Sequence, residues 1–172
     1  MTKRTKYIAI LIVAALAAGL LLLRVMGKSE APRQPIEFDH WQHISKPEGP
    51  QLDCVFCHEH ADKSSHATIP NIETCMICHE TEKTDSPEIQ KLAAINARGE
   101  QPAWRRVYWF ESESNVFFTH KPHTRAGVDC SECHGQVGQM HRVSREINQT
   151  MGWCIECHKK RGASIDCYIC HR

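Results

Sequence analysis

The sequence lacks any imbalance of charge: 21 Lys and Arg stand against 20 Asp and Glu in 172 residues, a formal net charge of +1. No basic run occurs beyond the flanks of the N-terminal apolar segment, so nothing points to nucleic acid or to a strongly acidic partner. Cysteine is absent everywhere outside one recurring motif. The run Tyr7 to Leu23 lacks any Asp, Glu, Lys, Arg or His, and no small-x-small cleavage site ends it. Beyond residue 28 the chain offers about 29 residues per copy of the cysteine motif, too few to build an ordinary hydrophobic core.

That motif is Cys-x-x-Cys-His. It occurs five times and uses all ten cysteines: Cys54, Cys57 and His58; Cys75, Cys78 and His79; Cys130, Cys133 and His134; Cys154, Cys157 and His158; Cys167, Cys170 and His171. Two thiols at this spacing form thioether bonds to a haem, and the following histidine becomes the proximal ligand of its iron. Zinc ribbons couple two Cys-x-x-Cys knuckles per metal, which suits an odd number poorly and does not require a histidine after each. With 12 histidines in the chain, five such placements by chance have a probability on the order of one in a million under the attachment rule. A disulfide inside each motif would close a loop too short to stabilise much. The reading is five covalently bound haem c groups.

Lys3, Arg4 and Lys6 precede the run YIAILIVAALAAGLLLL, long enough at the lower end of the range for one membrane-spanning helix. An uncleaved single-pass anchor is expected, with a cleaved signal peptide as the alternative. Haem c is attached outside the cytoplasmic membrane, so the remainder is expected on the periplasmic side. The expected fold is a multihaem cytochrome c: mainly short α-helices and irregular loops wrapped around five haems, one N-terminal transmembrane helix, and little or no β-sheet. Macrocycles and thioether bonds would serve as both core and cross-links.

The soluble part contains an internal duplication. Phe38-Asp39-His40-Trp41-Gln42-His43 leads through Gly49 and Asp53 to Cys54, and Phe118-Thr119-His120-Lys121-Pro122-His123 leads through Gly127 and Asp129 to Cys130. Each copy continues to a second motif, as repeated supersecondary units do. The organisation is therefore an anchor with flanks over 1–28, a two-haem module over 29–84, a helical and aromatic linker over 85–115, and a second module plus a fifth haem over 116–172. Within the linker, Ser86-Pro87-Glu88 and Gly99 bracket a helix over about 87–98 with Ile89, Leu92 and Ala93 on one face. The segment Trp104 to Phe110 is dense in aromatics and arginine, for packing against haem edges or for a protein contact.

Seven further histidines remain: His40, His43, His60, His66, His120, His123 and His141. The two Phe-x-His-x-x-His strings are the candidates for distal ligands, because i and i+3 on one helical turn lie close together and can serve two irons. The fifth distal ligand is one of His60, His66, His141, Met140 and Met151, with the methionines Met140 and Met151 as the favoured candidates. Methionine there would raise that haem's potential above its bis-histidine neighbours.

The chain resembles the membrane-anchored pentahaem cytochrome c subunit of bacterial alternative complex III, within the cytochrome c7 and c3-like class. The resemblance is carried by both Phe-x-His-x-x-His strings, Ile69-Pro70 to Met76, Ser86-Pro87, Cys133-His134-Gly135-x-Val137, Met140, Met151-Gly152-Trp153-Cys154 and the terminal Cys167-x-x-Cys170-His171-Arg172. It implies a relay subunit and not an enzyme. In that family an integral-membrane subunit oxidises quinol, an iron–sulfur subunit sits beside it, and the pentahaem subunit passes electrons to a monohaem cytochrome c or an oxidase. The competing expectations are a stand-alone anchored shuttle and a multihaem reductase, which would need an open iron site.

Overall fold

The computed structural model describes residues 3–26 and 31–171, with side-chain surroundings for 4–19 and for 31–171 apart from 112. The chain divides into two compact units, Met1–Glu30 and Ala31–Arg172. The boundary expected at 28/29 and the terminal Arg172 lie outside the described residues.

The first unit is helix α1, Lys3–Met26. Its apolar, proline-free sequence suits a helix, but the membrane-spanning expectation is corrected. Among the described residues no helix is long and apolar enough to cross a membrane. The side chains described along α1 run from Arg4 to Gly19 and begin with two cations, Arg4 and Lys6. The last part of the expected span, residues 20–23, and its flank over 24–28 fall outside the described side chains.

The second unit is helical. Among the described residues it has no strand, and its extended pairing is one antiparallel bridge between Val116 and His171. The helices are α2 (His40–Ile44), α3 (Cys54–Cys57), α4 (Ile72–His79), α5 (Pro87–Ala97), α6 (His120–Arg125), α7 (Cys130–His134), α8 (Met151–Arg161) and α9 (Cys167–Cys170). Short 3₁₀ turns lie at Ser112–Ser114 and Val137–Gln139. In α5, Ser86 stands at the N-cap and Pro87 at the first helical position, where its missing N–H costs nothing. Gly99 beyond its end takes φ +67°, a conformation that glycine adopts without steric penalty. The buried face differs by one position from expectation: Leu92 is buried with Ile89 and Ile95 beside it, and Ala93 is exposed.

Among the described residues four hydrophobic side chains are buried: Ile36, Ala61, Ile72 and Leu92. Ile36, Ile72 and Leu92 form one cluster, against which Cys75, Met76, Ile89, Ile95 and Trp104 pack. This cluster fixes α4 on α5, and so holds the second Cys-x-x-Cys-His motif. Trp104 thus packs on side chains of the small core. Val55, Phe56, Ile77, Tyr168 and Ile169, all inside the cysteine motifs, are exposed.

The two copies of the duplicated unit interlock. Helix α2 of the first docks on the 3₁₀ turn of the second: the Trp41 N–H donates to the Met140 carbonyl (3.2 Å), and Gln139 Nε2 donates to Ser45 Oγ (3.0 Å). Arg142 reaches Glu37 at 2.6 Å beside them. In the opposite direction α6 docks on the loop after the first motif. There the N–H groups of His120 and Lys121 donate to the carbonyls of Ser65 (3.2 Å) and Ser64 (3.1 Å), and Thr124 Oγ1 donates to Ala61 (3.1 Å).

Candidate cofactor-binding site

Each Cys-x-x-Cys segment lies on a helix, so its two cysteines, three residues apart, fall on one face. Three of the helices begin on the first cysteine, with an aspartate at the N-cap: Asp53, Asp129 and Asp166. Asp129 accepts from the Ser131 N–H (2.8 Å), and Glu132 reaches back to the Asp129 N–H (3.0 Å), a complete capping box. Asp166 accepts from the Tyr168 N–H (3.0 Å). In α7 and α9 this capping lets segments of four or five residues hold a helical turn that their length alone would not sustain, whereas Asp53 makes no such bond in α3.

The histidine ring nitrogens show which atoms are available to a metal. A carbonyl oxygen can only accept, so an Nδ1 within hydrogen-bond distance of one must carry the proton, leaving the Nε2 lone pair free. Four of the five motif histidines are held this way: His58 by Thr68 (2.6 Å), His79 by Glu82 (3.1 Å), His158 by Ser164 (2.5 Å) and His171 by Ser114 (3.0 Å). So are three from the duplicated strings: His43 by Asp39 (2.8 Å), His120 by Ser65 (2.9 Å) and His123 by Thr119 (2.8 Å). This is the outer-shell arrangement that fixes tautomer and ring direction in metal-ligating histidines.

The same rings stand in opposed pairs. Ring centroids are 6.0 Å apart for His43 and His79, 6.2 Å for His120 and His134, and 6.0 Å for His123 and His158. Two imidazoles on opposite sides of one metal, each bonded at about 2.0 Å as histidine is to zinc, have centroids about 6 Å apart. His40 is the fourth distal candidate, and His58 is its electrostatic neighbour. Burial, then the nearby His58 and His43, pushes His40 down to about 4, and its buried Nδ1 has no hydrogen-bond partner. Burial, then His120 and His58, likewise pushes His134 down to about 4. Both rings are thereby kept as the neutral imidazole that metal binding requires.

The duplication extends to ring packing. Phe38 meets His40 edge-on (4.8 Å, 87°) and stacks on His43 (4.5 Å, 25°). Phe118 does the same with His120 (4.9 Å, 85°) and His123 (4.8 Å, 31°). The phenylalanine of each string therefore orients both imidazoles, a role that its spacing alone did not reveal. Tyr108 is a second such residue: its ring meets His134 edge-on at 4.7 Å, and its hydroxyl donates to the His134 carbonyl (3.2 Å) while accepting from the Glu146 N–H (3.1 Å). Arg145 lies over both Tyr108 and Trp109, at 5.5 Å from each ring. Tyr108 of the aromatic linker thus belongs to the surroundings of the third motif, whereas Trp104 packs on the small core beside the second.

None of the ten cysteines, all among the described residues, is joined in a disulfide. Desolvation, followed by neighbouring thiols, raises Cys57, Cys75, Cys130 and Cys154, and pushes Cys133 up to about 11. At these five positions the surroundings favour the neutral thiol. Among the described residues no group of three or more His, Cys, Asp or Glu side chains is arranged to hold a bare metal ion. The donors form opposed pairs beside cysteine couples, a set that fits a planar iron macrocycle ligated on both faces.

The remaining candidates are placed differently. His60, His66 and His141 are exposed, and their Nδ1 atoms engage side chains: Thr68 Oγ1 (3.3 Å), Ser65 Oγ (2.9 Å) and Asp39 Oδ2 (2.8 Å). Met140 is half-buried at the end of the 3₁₀ turn docked on α2, and Met151 opens α8 with 64% of its surface exposed. Among the motif histidines, His58 and His171 have no such ring partner in the three pairs, and His58 is the electrostatic neighbour of His40. The chain matches no protein-family model and no curated protein.

Proposed function

We propose that this chain is an electron-transfer c-type cytochrome carrying five covalent haems. The cysteine pairs of Cys54/Cys57, Cys75/Cys78, Cys130/Cys133, Cys154/Cys157 and Cys167/Cys170 would hold the macrocycles. His58, His79, His134, His158 and His171 would be the proximal ligands, with His40, His43, His120 and His123 opposite the first four in that order. Each haem, when bound, takes up and releases one electron at its iron. The observation that carries this reading is the set of three imidazole pairs with centroids 6.0–6.2 Å apart, in which five of the six rings have Nδ1 committed to a backbone carbonyl.

A second histidine available for each of the first four sites would favour electron transfer over catalysis, because substrate chemistry at iron needs an open site. The chain's residues would fix ring direction and, at His40 and His134, keep the imidazole neutral. They would not bind a substrate. The partner set rests on the sequence resemblance: an integral-membrane quinol-oxidising subunit and an iron–sulfur subunit as donors, and a monohaem cytochrome c or an oxidase as acceptor. Because haem c is attached outside the cytoplasmic membrane, residues 31–171 would work on its periplasmic side.

The test is affinity purification of the C-terminally tagged protein from membranes in mild detergent, followed by addition of quinol. Recovery with a polytopic quinol-binding subunit and an iron–sulfur protein, together with haem reduction by quinol, supports the relay. A pentahaem protein recovered alone and not reduced by quinol overturns the complex and favours an independent shuttle.

A further inference from the structure

The attachment motifs do not follow one another in space as they do in sequence. Helix α2 carries His40 beside His58 and His43 beside His79, so it joins the first and second motifs. Helix α6 carries His120 beside His134 and His123 beside His158, and so joins the third and fourth. Gln149 Nε2 donating to the Cys133 carbonyl (2.6 Å) and Arg161 bound to Glu132 (2.6 Å) tie that second pair further.

The link between the two pairs runs through the first motif. Its trailing loop receives α6 through the carbonyls of Ala61, Ser64 and Ser65. A cavity of about 530 Å³ is lined on one side by Val55 and Glu59, from the first motif, and on the other by Val128, Asp129 and Cys130, at the third. Thiol neighbours trace the same path: Cys75 with Cys57, Cys130 with Cys54, Cys133 with Cys154 and Cys157, and Cys154 with Cys170. At the far end, the Phe117 N–H, just before α6, donates to the Cys170 carbonyl at 2.6 Å.

We infer that the five sites stand in the spatial order Cys75, Cys54, Cys130, Cys154, Cys167, so that the first motif is the bridge between modules and the second motif is a terminus. This order rests on the reading of the five motifs as haem sites. It has a functional consequence that sequence order would not suggest: the two ends available to redox partners are the second motif, braced by α4 and α5, and the fifth, where Tyr168 is 82% exposed.

The order is tested in the fully reduced holoprotein by nuclear Overhauser contacts between haem substituents, after the haem content has been counted by pyridine haemochrome. The expected result is that the haem on Cys54/Cys57 contacts two others, those on Cys75/Cys78 and Cys130/Cys133, while the haem on Cys75/Cys78 contacts one. Direct contacts between the haems of the second and third motifs, with the first motif's haem touching only the second, would overturn the order and leave the haem reading standing. A protein without covalent haem overturns the haem reading itself, and the order with it. Redox titration of His40→Met and His43→Met provides an independent check. Raising the potential of the first motif's haem should shift the apparent midpoints of two neighbours, and raising that of the second should shift one; the reverse pattern contradicts the order.

Discussion

Asp39 anchors the first histidine-bearing helix by three routes. Its Oδ1 accepts from the Gln42 N–H (3.1 Å), its Oδ2 accepts from Gln42 Nε2 (3.1 Å), and Oδ2 also faces His141 Nδ1 (2.8 Å). Replacing it by alanine removes an N-cap, at a cost of about 1 kcal/mol. The His141 contact adds no more than about 0.5 kcal/mol, because the His141 side chain is 69% exposed and the pair is screened by solvent. The sum, about 1.5 kcal/mol, corresponds to a melting temperature lower by about 3–6 °C for a chain of this size. Asp39→Asn keeps the cap and should lose less than half as much. Thermal unfolding of the holoproteins, followed by far-ultraviolet circular dichroism and by the Soret band, measures both. The pH dependence adds a second check. Burial pushes the Asp39 carboxyl upward, but the bonds from His141 and Gln42 outweigh it and hold the group below its ordinary value. Its stabilisation is therefore complete above the unfolded carboxyl's pKa of about 3.9, and is lost as pH falls through the lower folded value. Wild type and Asp39→Ala should converge at that acid end. An alanine variant that melts with wild type at neutral pH, or an asparagine variant that loses as much as alanine, would refute the capping argument.

Gly135, directly after His134, has φ +72° and ψ −163°, a region reserved for glycine, and an added Cβ would collide with the Glu146 carboxylate. Gly135→Ala should destabilise the holoprotein by about 2 kcal/mol or more, read by denaturant unfolding. Tyr108→Phe removes two hydrogen bonds beside the third motif and should cost about 1–2 kcal/mol while leaving haem stoichiometry unchanged, read by unfolding and haemochrome assay. Alanine at His43, His120 or His123 should leave five haems attached but convert one to a high-spin form that binds carbon monoxide, seen in absorption and electron paramagnetic resonance spectra. Alanine at the exposed His60 or His66 should leave the spin state unaltered.

The chemistry proposed for this chain rests on a local motif, Cys-x-x-Cys-His, that is fully visible in its sequence. The duplicated Phe-x-His-x-x-His strings also read through to three dimensions: two sequences 80 positions apart produce the same edge-on and stacked contacts. What the sequence hides is everything contributed by backbone or by distant packing. The carbonyls of Thr68, Ser65, Ser114 and Ser164 that orient the rings have no side-chain signature, since any residue supplies a carbonyl. Tyr108 reaches His134 from 26 residues away, and the interlocking of α2 and α6 with the opposite copies depends on loop paths that periodicity cannot report. Helix α5 was legible to within a residue at its ends because proline and glycine punctuate it, whereas its inner face turned on Ile95 and not Ala93. The N-terminal run was correctly helical in pattern, but an apolar pattern alone did not establish a membrane span.

The ten cysteines holding five haems is the central claim. Expression in a host with periplasmic haem attachment, followed by intact-mass measurement of the denatured protein and a pyridine haemochrome assay, tests it directly. Five covalent haems per chain are predicted, with mass retained after acid extraction and no thiol left to alkylate. A chain with ten alkylatable thiols and no bound haem, or one that copurifies with zinc, would contradict it.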